Sequence, residues 1–227
     1  MPCEPPRCAA CSARSEGLCG TFSGGEITAL FAIARQRRAP AGQVLLWAGE
    51  PASFCATLVT GVLKIARQDA EGREQIVGLL FPGDFVGEPF AGACVDSVVA
   101  LSDADLCVYP RAPLEHLLEA HPPATRLLLR RALSTLTAAR RWILTLGRRN
   151  ARQKVASFLL EMATRSTQGD RLELPLSRGA MGEALGLTIE TVSRQMTALV
   201  RAQVIELAGH RGVRLLNRAQ LATLATL

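Results

Sequence analysis

Seven cysteines are spread unevenly over 227 residues: Cys3, Cys8, Cys11 and Cys19 fall within the first 19 positions, and Cys55, Cys94 and Cys107 follow at long intervals. The opening residues Met-Pro-Cys-Glu-Pro-Pro-Arg-Cys lack the apolar stretch of a secretory signal, so a reducing cytoplasmic setting is expected. Thiols clustered in such a setting predict a metal or redox centre rather than a disulfide framework. A second set of chemically capable residues lies near the other end, in the run SRGAMGEALGLTIETVSRQMTALVR over 177–201. Ser177 and Thr188 suit helix N-caps, and Gly186 suits the tight turn between two helices. On the second helix Val192, Met196 and Leu199 face inward, which leaves Glu190, Ser193, Arg194 and Thr197 outward. An arginine fork fits guanine O6 and N7, a carboxylate accepts from a cytosine amino group, and a serine reaches a base edge or a phosphate. Glu190 and Arg194 are four residues apart, so they share a face and are expected to orient one another.

Charge agrees with that placement. The formal net charge is +6, and all of it falls in residues 147–227, with 12 Lys+Arg against 6 Asp+Glu; residues 1–146 balance at 14 against 14. A basic C-terminal part on a neutral N-terminal one favours a polyanion partner. Residues 204–216, two apolar runs around Gly-His-Arg-Gly, read as a hairpin wing with His210 and Arg211 at its tip. Arg148, Arg149, Arg152 and Lys154 suit backbone phosphates or a solvated face.

The elements that must position these groups follow from periodicity. A helix is expected over 26–37, with Ser23 as N-cap. Glycine-punctuated strands are expected at 44–47, 56–59, 62–66, 75–81, 98–101 and 106–109, with a hairpin turn at 69–72; their spacing predicts a β-roll. A short helix is expected over 113–121. A long one starts at Pro122, and Leu129, Ala132, Leu136, Ala139, Ile143 and Leu146 recur along it at three- and four-residue steps, widened by Leu128, Leu133 and Trp142. Such a stripe packs either on the roll or on a copy of itself. A helix at 151–165 and a strand at 172–176 complete the pattern. The fold class is α+β: a jelly-roll-like sensor domain, a long dimerisation helix and a C-terminal winged helix-turn-helix. The boundaries expected are 1–22 for the cysteine-rich segment, 23–121 for the β-roll, 122–147 for the dimerisation helix and 148–227 for the DNA-binding domain. No apolar run reaches 18 residues, so no membrane partner is expected.

This arrangement resembles the CRP/FNR superfamily of bacterial transcription regulators over nearly the whole chain. Leu79-Leu80-Phe81-Pro82-Gly83-Asp84-Phe85-Val86-Gly87 resembles the family's β-roll signature. Leu187-Thr188-Ile189-Glu190-Thr191-Val192-Ser193-Arg194 resembles the recognition helix of the FNR-type oxygen sensors, and Leu144-Thr145-Leu146-Gly147-Arg148-Arg149-Asn150-Ala151-Arg152 supports that branch. The resemblance implies a [4Fe–4S] cluster held by Cys8, Cys11, Cys19 and Cys107, with Cys3 a weaker substitute, and four thiolates satisfy such a cube. It also implies a homodimer on TTGAT-like half-sites read by Glu190, Ser193 and Arg194, flanked by Thr188 and Thr197, with RNA polymerase as a further partner. At Ala139 the chain departs from an acidic residue that opposes pairing in the best-known member, which makes dimerisation less dependent on a signal.

Other readings have specific requirements. A cyclic nucleotide needs a cation for its phosphate, yet no Lys or Arg lies between Arg73 and Arg111; none is expected to bind. A cupin-type enzyme needs clustered histidines, and the three present, His116, His121 and His210, lie outside the roll strands. Zinc on the same four cysteines, and a redox or nitric-oxide response of the same thiols whose cluster chemistry would overlap with oxygen sensing, stay open.

Overall fold

A computed structural model describes residues 8, 11, 13–15, 17–165 and 169–226. Cys3 lies outside the described residues. The chain divides into two compact units, residues 1–73 with 77–136, and residues 74–76 with 137–227.

The first unit opens with a 3-10 turn, Leu18–Thr21, and helix α1, Gly24–Ile33. Ser23 takes the N-cap position with extended backbone, but its side chain makes no capping bond. Eight strands follow: β1 Arg35–Ala39, β2 Val44–Leu46, β3 Phe54–Thr60, β4 Leu63–Gln68, β5 Glu74–Leu80, β6 Phe85–Val86, β7 Ser97–Ala100 and β8 Ala104–Pro110. They form two four-stranded sheets, ordered β1-β8-β3-β6 and β2-β7-β4-β5. Leu45, Leu58, Leu63, Val86, Val98 and Leu106 fill the space between the sheets. The β4–β5 turn forms where the sequence places it: the Asp69 carboxylate accepts from the N–H groups of Glu71 and Arg73 at 3.0 and 2.9 Å. The expected helix over 26–37 is corrected at its end. It stops at Ile33, and Arg35–Ala39 extends antiparallel to β8, pairing Gln36 with Cys107 and Ala39 with Ala104.

Helix α2, Arg111–Ala120, leads through His121 into α3, Pro122–Arg148. Leu114, Leu118 and Ala124 join Leu18, Phe22, Leu30 and Tyr109 in a second core against the roll. Of the 27 residues of α3, only Ala124 and Thr145 are buried.

The second unit continues with α4, Ala151–Arg165, whose start carries a reciprocal cap. The Asn150 N–H donates to Gln153 Oε1 at 2.9 Å, and the Gln153 N–H donates to Asn150 Oδ1 at 3.1 Å. Val155, Phe158, Leu159 and Met162 form its buried face. Strand β9, Arg171–Glu173, helices α5, Arg178–Leu185, and α6, Ile189–Arg201, strands β10, Ile205–Ala208, and β11, Gly212–Leu215, and helix α7, Arg218–Ala225, complete the chain. The wing sheet has the order β10-β11-β9, one strand more than a simple hairpin. Among the described residues no helix is long and apolar enough to cross a membrane.

Candidate nucleic-acid interface

The helix-turn-helix is built by local hydrogen bonds. Ser177 Oγ accepts from the Ala180 N–H at 3.2 Å and starts α5. Gly186 ends it in the left-handed region at φ 59, which glycine adopts without a Cβ penalty. Thr188 Oγ1 then accepts from the Thr191 N–H at 3.3 Å and starts α6. Met181, Ala184 and Leu185 on α5 are buried, as are Val192, Met196 and Leu199 on α6. The outer face of α6 therefore has a fixed orientation, and Thr188, Glu190, Ser193, Arg194 and Thr197 are all exposed on it.

The expected pairing of Glu190 with Arg194 does not form. Arg194 reaches Thr191 Oγ1 at 3.5 Å instead. Glu190 lies in the first turn, where its own backbone N–H and the Thr188 hydroxyl hold its carboxyl below the usual carboxylate range. It is thus ionised and free to accept, while the Arg194 fork remains solvent-facing. Thr197, Ala198 and Arg201 extend this surface along the helix, lining a shallow depression with Arg194. At the wing, His210 is exposed, and Arg211 donates to the Pro175 carbonyl at 3.3 Å.

Two residues of this site escaped the sequence reading. Gly182 is one: a Cβ there would sit 2.5 Å from the Leu187 carbonyl oxygen, so the close approach of α5 to the turn requires glycine. The Gly-x-x-x-Gly spacing of Gly182 and Gly186 was the available signal. Ile189 is the other, half exposed at the start of α6. It lies four residues before Ser193, and its Cδ1 would lie 4.0 Å from a Cβ at Gly179 on α5.

On α3 the predicted stripe is bare. Leu129 is 58% exposed and Ile143 68%; Leu133 and Leu136 are also exposed, with Ala132 and Ala139 between them. Leu146 is half-buried.

The cysteines require a correction. The four expected cluster ligands are all half-buried, and they share a neighbourhood. Cys11 N–H donates to the Cys8 carbonyl at 3.3 Å, and the charges of Cys107, Cys11 and Cys8 act on Cys19. Yet among the described residues no group of three or more His, Cys, Asp or Glu side chains is placed to hold a metal ion. The [4Fe–4S] cluster on Cys8, Cys11, Cys19 and Cys107 is therefore not supported, and neither is zinc on the same set. Burial pushes the Cys19 thiol up, its hydrogen bond to Tyr109 opposes this, and the three neighbouring thiols push it up further. Its Sγ lies 3.4 Å from the Tyr109 hydroxyl. Tyr109 is completely buried, and its hydroxyl also lies 3.4 Å from Thr57 Oγ1. Cys55 and Cys94 are buried packing residues, and burial pushes the Cys55 thiol up to about 12.

A β-roll followed by a capped helix-turn-helix with a three-stranded wing defines a DNA-binding transcription regulator. Residues 153–224 match the model of the Crp-like helix-turn-helix domain, and residues 36–121 match that of the cyclic nucleotide-binding domain. The chain belongs to the CRP/FNR family. It is 39% identical over 223 residues to the transcriptional activator protein FnrL of Cereibacter sphaeroides, covering 95% of this chain and 90% of that one. It is 32% identical over 222 residues to the nitrogen fixation regulation protein FixK of Bradyrhizobium diazoefficiens, covering 96% and 93%. The solved structure of FixK2 from Bradyrhizobium japonicum superposes with a TM-score of 0.81 at 30% identity, over 86% of this chain and 98% of that one.

Proposed function

We propose that this regulator binds, as a homodimer, a palindrome of TTGAT-like half-sites and acts on RNA polymerase there. The observation that carries the reading is the outer face of α6, where Glu190, Ser193 and Arg194 are solvent-facing on a helix anchored by Val192, Met196 and Leu199. Arg194 reads guanine, Glu190 accepts from cytosine, and Thr188 and Thr197 flank them near the phosphates. Dimerisation uses the bare seam Leu129, Ala132, Leu136, Ala139, Ile143 and Leu146. A helix of 27 residues spans about 40 Å, long enough for a two-fold seam. Pairing places two recognition helices one DNA turn apart, as a palindrome demands. The name of the FnrL relative as an activator supports contact with polymerase.

The β-roll is read as a scaffold without a cyclic nucleotide. Arg111, the cation nearest such a site in sequence, is already engaged by Glu115 at 2.6 Å. We assign the oxygen response implied by the FNR-type resemblance to the N-terminal segment that bears Cys8, Cys11 and Cys19.

Binding to a TTGAT-N4-ATCAA duplex, measured by fluorescence anisotropy at one fixed salt concentration under nitrogen, tests the proposal. Affinity at least about a thousandfold above that for a scrambled duplex is expected. Equal affinity for both duplexes overturns the DNA reading. Unchanged affinity after air exposure overturns the assignment of the oxygen response alone.

A further inference from the structure

His121 sits at the joint of α2 and α3, and its backbone serves both helices. Its N–H donates to the Leu118 carbonyl at 3.2 Å, and its carbonyl accepts from the Ala124 N–H at 3.1 Å. Its side chain, 10% exposed, reaches the N-terminal segment instead of solvent. Nδ1 lies 2.8 Å from Glu26 Oε1 on α1, and Nε2 lies 2.9 Å from the Thr21 carbonyl oxygen. The ring stacks on Phe22, with centroids 4.4 Å apart and planes 24° apart.

Both partners are acceptors. A carbonyl oxygen has no proton to give, and neither has an ionised carboxylate. A neutral imidazole carries one N–H, so it can serve one of these oxygens while its bare nitrogen opposes the other. Only the imidazolium donates to both, and the aromatic face of Phe22 is a favourable surface for a cation. We propose that His121 is a proton-dependent latch: as the imidazolium it ties Thr21 and Glu26 to the α2–α3 joint, and on losing its proton it releases one of the two ties.

Glu26 is the charged group that the ring contacts, and Arg14 lines a cavity with Cys19 and Phe22. Residues 17–25 contain no charged side chain, and their one titratable group, Cys19, is bonded to Tyr109. On α2, His116 and Glu119 lie 3.9 Å apart in solvent, and Glu115 is held by Arg111. The first charged residue of α3 is Arg126, which is exposed. The latch thus fastens the thiol-bearing segment beside the first residue of the seam helix, and alkaline conditions loosen it. The latch stands independently of the dimeric reading above.

Hydrogen–deuterium exchange of the full chain over residues 18–30 tests the latch, after correction for the intrinsic pH dependence of exchange. From about pH 6 to about pH 8.5, protection in the wild type should fall about tenfold, the scale of one charge-assisted hydrogen bond. Glu26→Gln is the discriminating variant. Its amide can donate to a neutral Nδ1 while Nε2–H serves Thr21, so both ties survive without the extra proton and the profile should be flat. A flat wild-type profile, or a Glu26→Gln profile as steep as the wild type, overturns the proposal. Nitrogen-15 NMR of the wild-type ring is independent of any variant's folding. Two protonated ring nitrogens at about pH 6 are expected, and one bare nitrogen in the docked state overturns the latch.

Discussion

The helix-turn-helix and the thiol neighbourhood were both anticipated from residue types and spacing, yet only the first has the geometry anticipated. The difference lies in how each is assembled. The caps and the close approach that shape the turn between α5 and α6 span a few residues: Ser177 to Ala180, Gly182 to Leu187, Thr188 to Thr191. The thiols meet across the fold instead. Cys19 reaches Tyr109, 90 residues away, and Cys107 lies on a central strand whose register is set by β1 and β3. Spacing along the chain determines a local cap; it does not determine where four sulfurs point after a β-roll has closed around them.

The comparison can be broken or sharpened experimentally. The largest effect is expected from Arg194→Ala. Losing a forked contact costs about 1–3 kcal/mol in each half-site, so affinity for the palindrome should fall about thirtyfold or more by anisotropy, with an unchanged melting temperature. Retained specificity would mean that the face of α6 does not read bases. Gly182→Ala comes next. Its Cβ would meet the Leu187 carbonyl oxygen at 2.5 Å, and the forced shift should cost about 1–3 kcal/mol in denaturant unfolding of the C-terminal unit.

Ile143→Glu should shift sedimentation from dimer towards monomer while leaving the monomer folded, because the side chain is exposed in the single chain. A smaller effect tests the N-terminal region. Tyr109→Phe keeps the ring but removes the hydroxyl shared by Cys19 and Thr57, and a loss of about 1 kcal/mol is expected in unfolding. The smallest concerns pH. The Cys55 thiol is raised from 9.0 to about 12 by burial, so the unfolded chain gives up this proton before the folded one does. Stability should therefore be intact below about 9 and decline as pH climbs towards about 12. Cys55→Ala should make that alkaline decline shallower in a pH series of urea melts.

Much of the architecture was legible. Helix 151–165 has the predicted bounds, and the six expected strands all form, because alternating apolar residues and glycine turns mark them. The two strands missed have physical reasons. Arg-Gln-Arg-Arg in β1 presents charge on an edge, where pairing with β8 rather than apolar alternation makes the strand. β6 has two residues, too few for any period. At the candidate site, the exposed positions of α6 followed from helical phase, whereas the turning of Arg194 towards Thr191 depends on rotamers that no spacing rule encodes.

Tyr109 is the only tyrosine in the sequence, and it is sealed from solvent between Cys19 and Thr57. The phenol is thus a built-in optical reporter: wetting it shifts its ultraviolet absorption, and no label is needed. Lifting of the leading segment, whatever triggers it, would write a tyrosine difference spectrum on top of the absorption of Trp47 and Trp142.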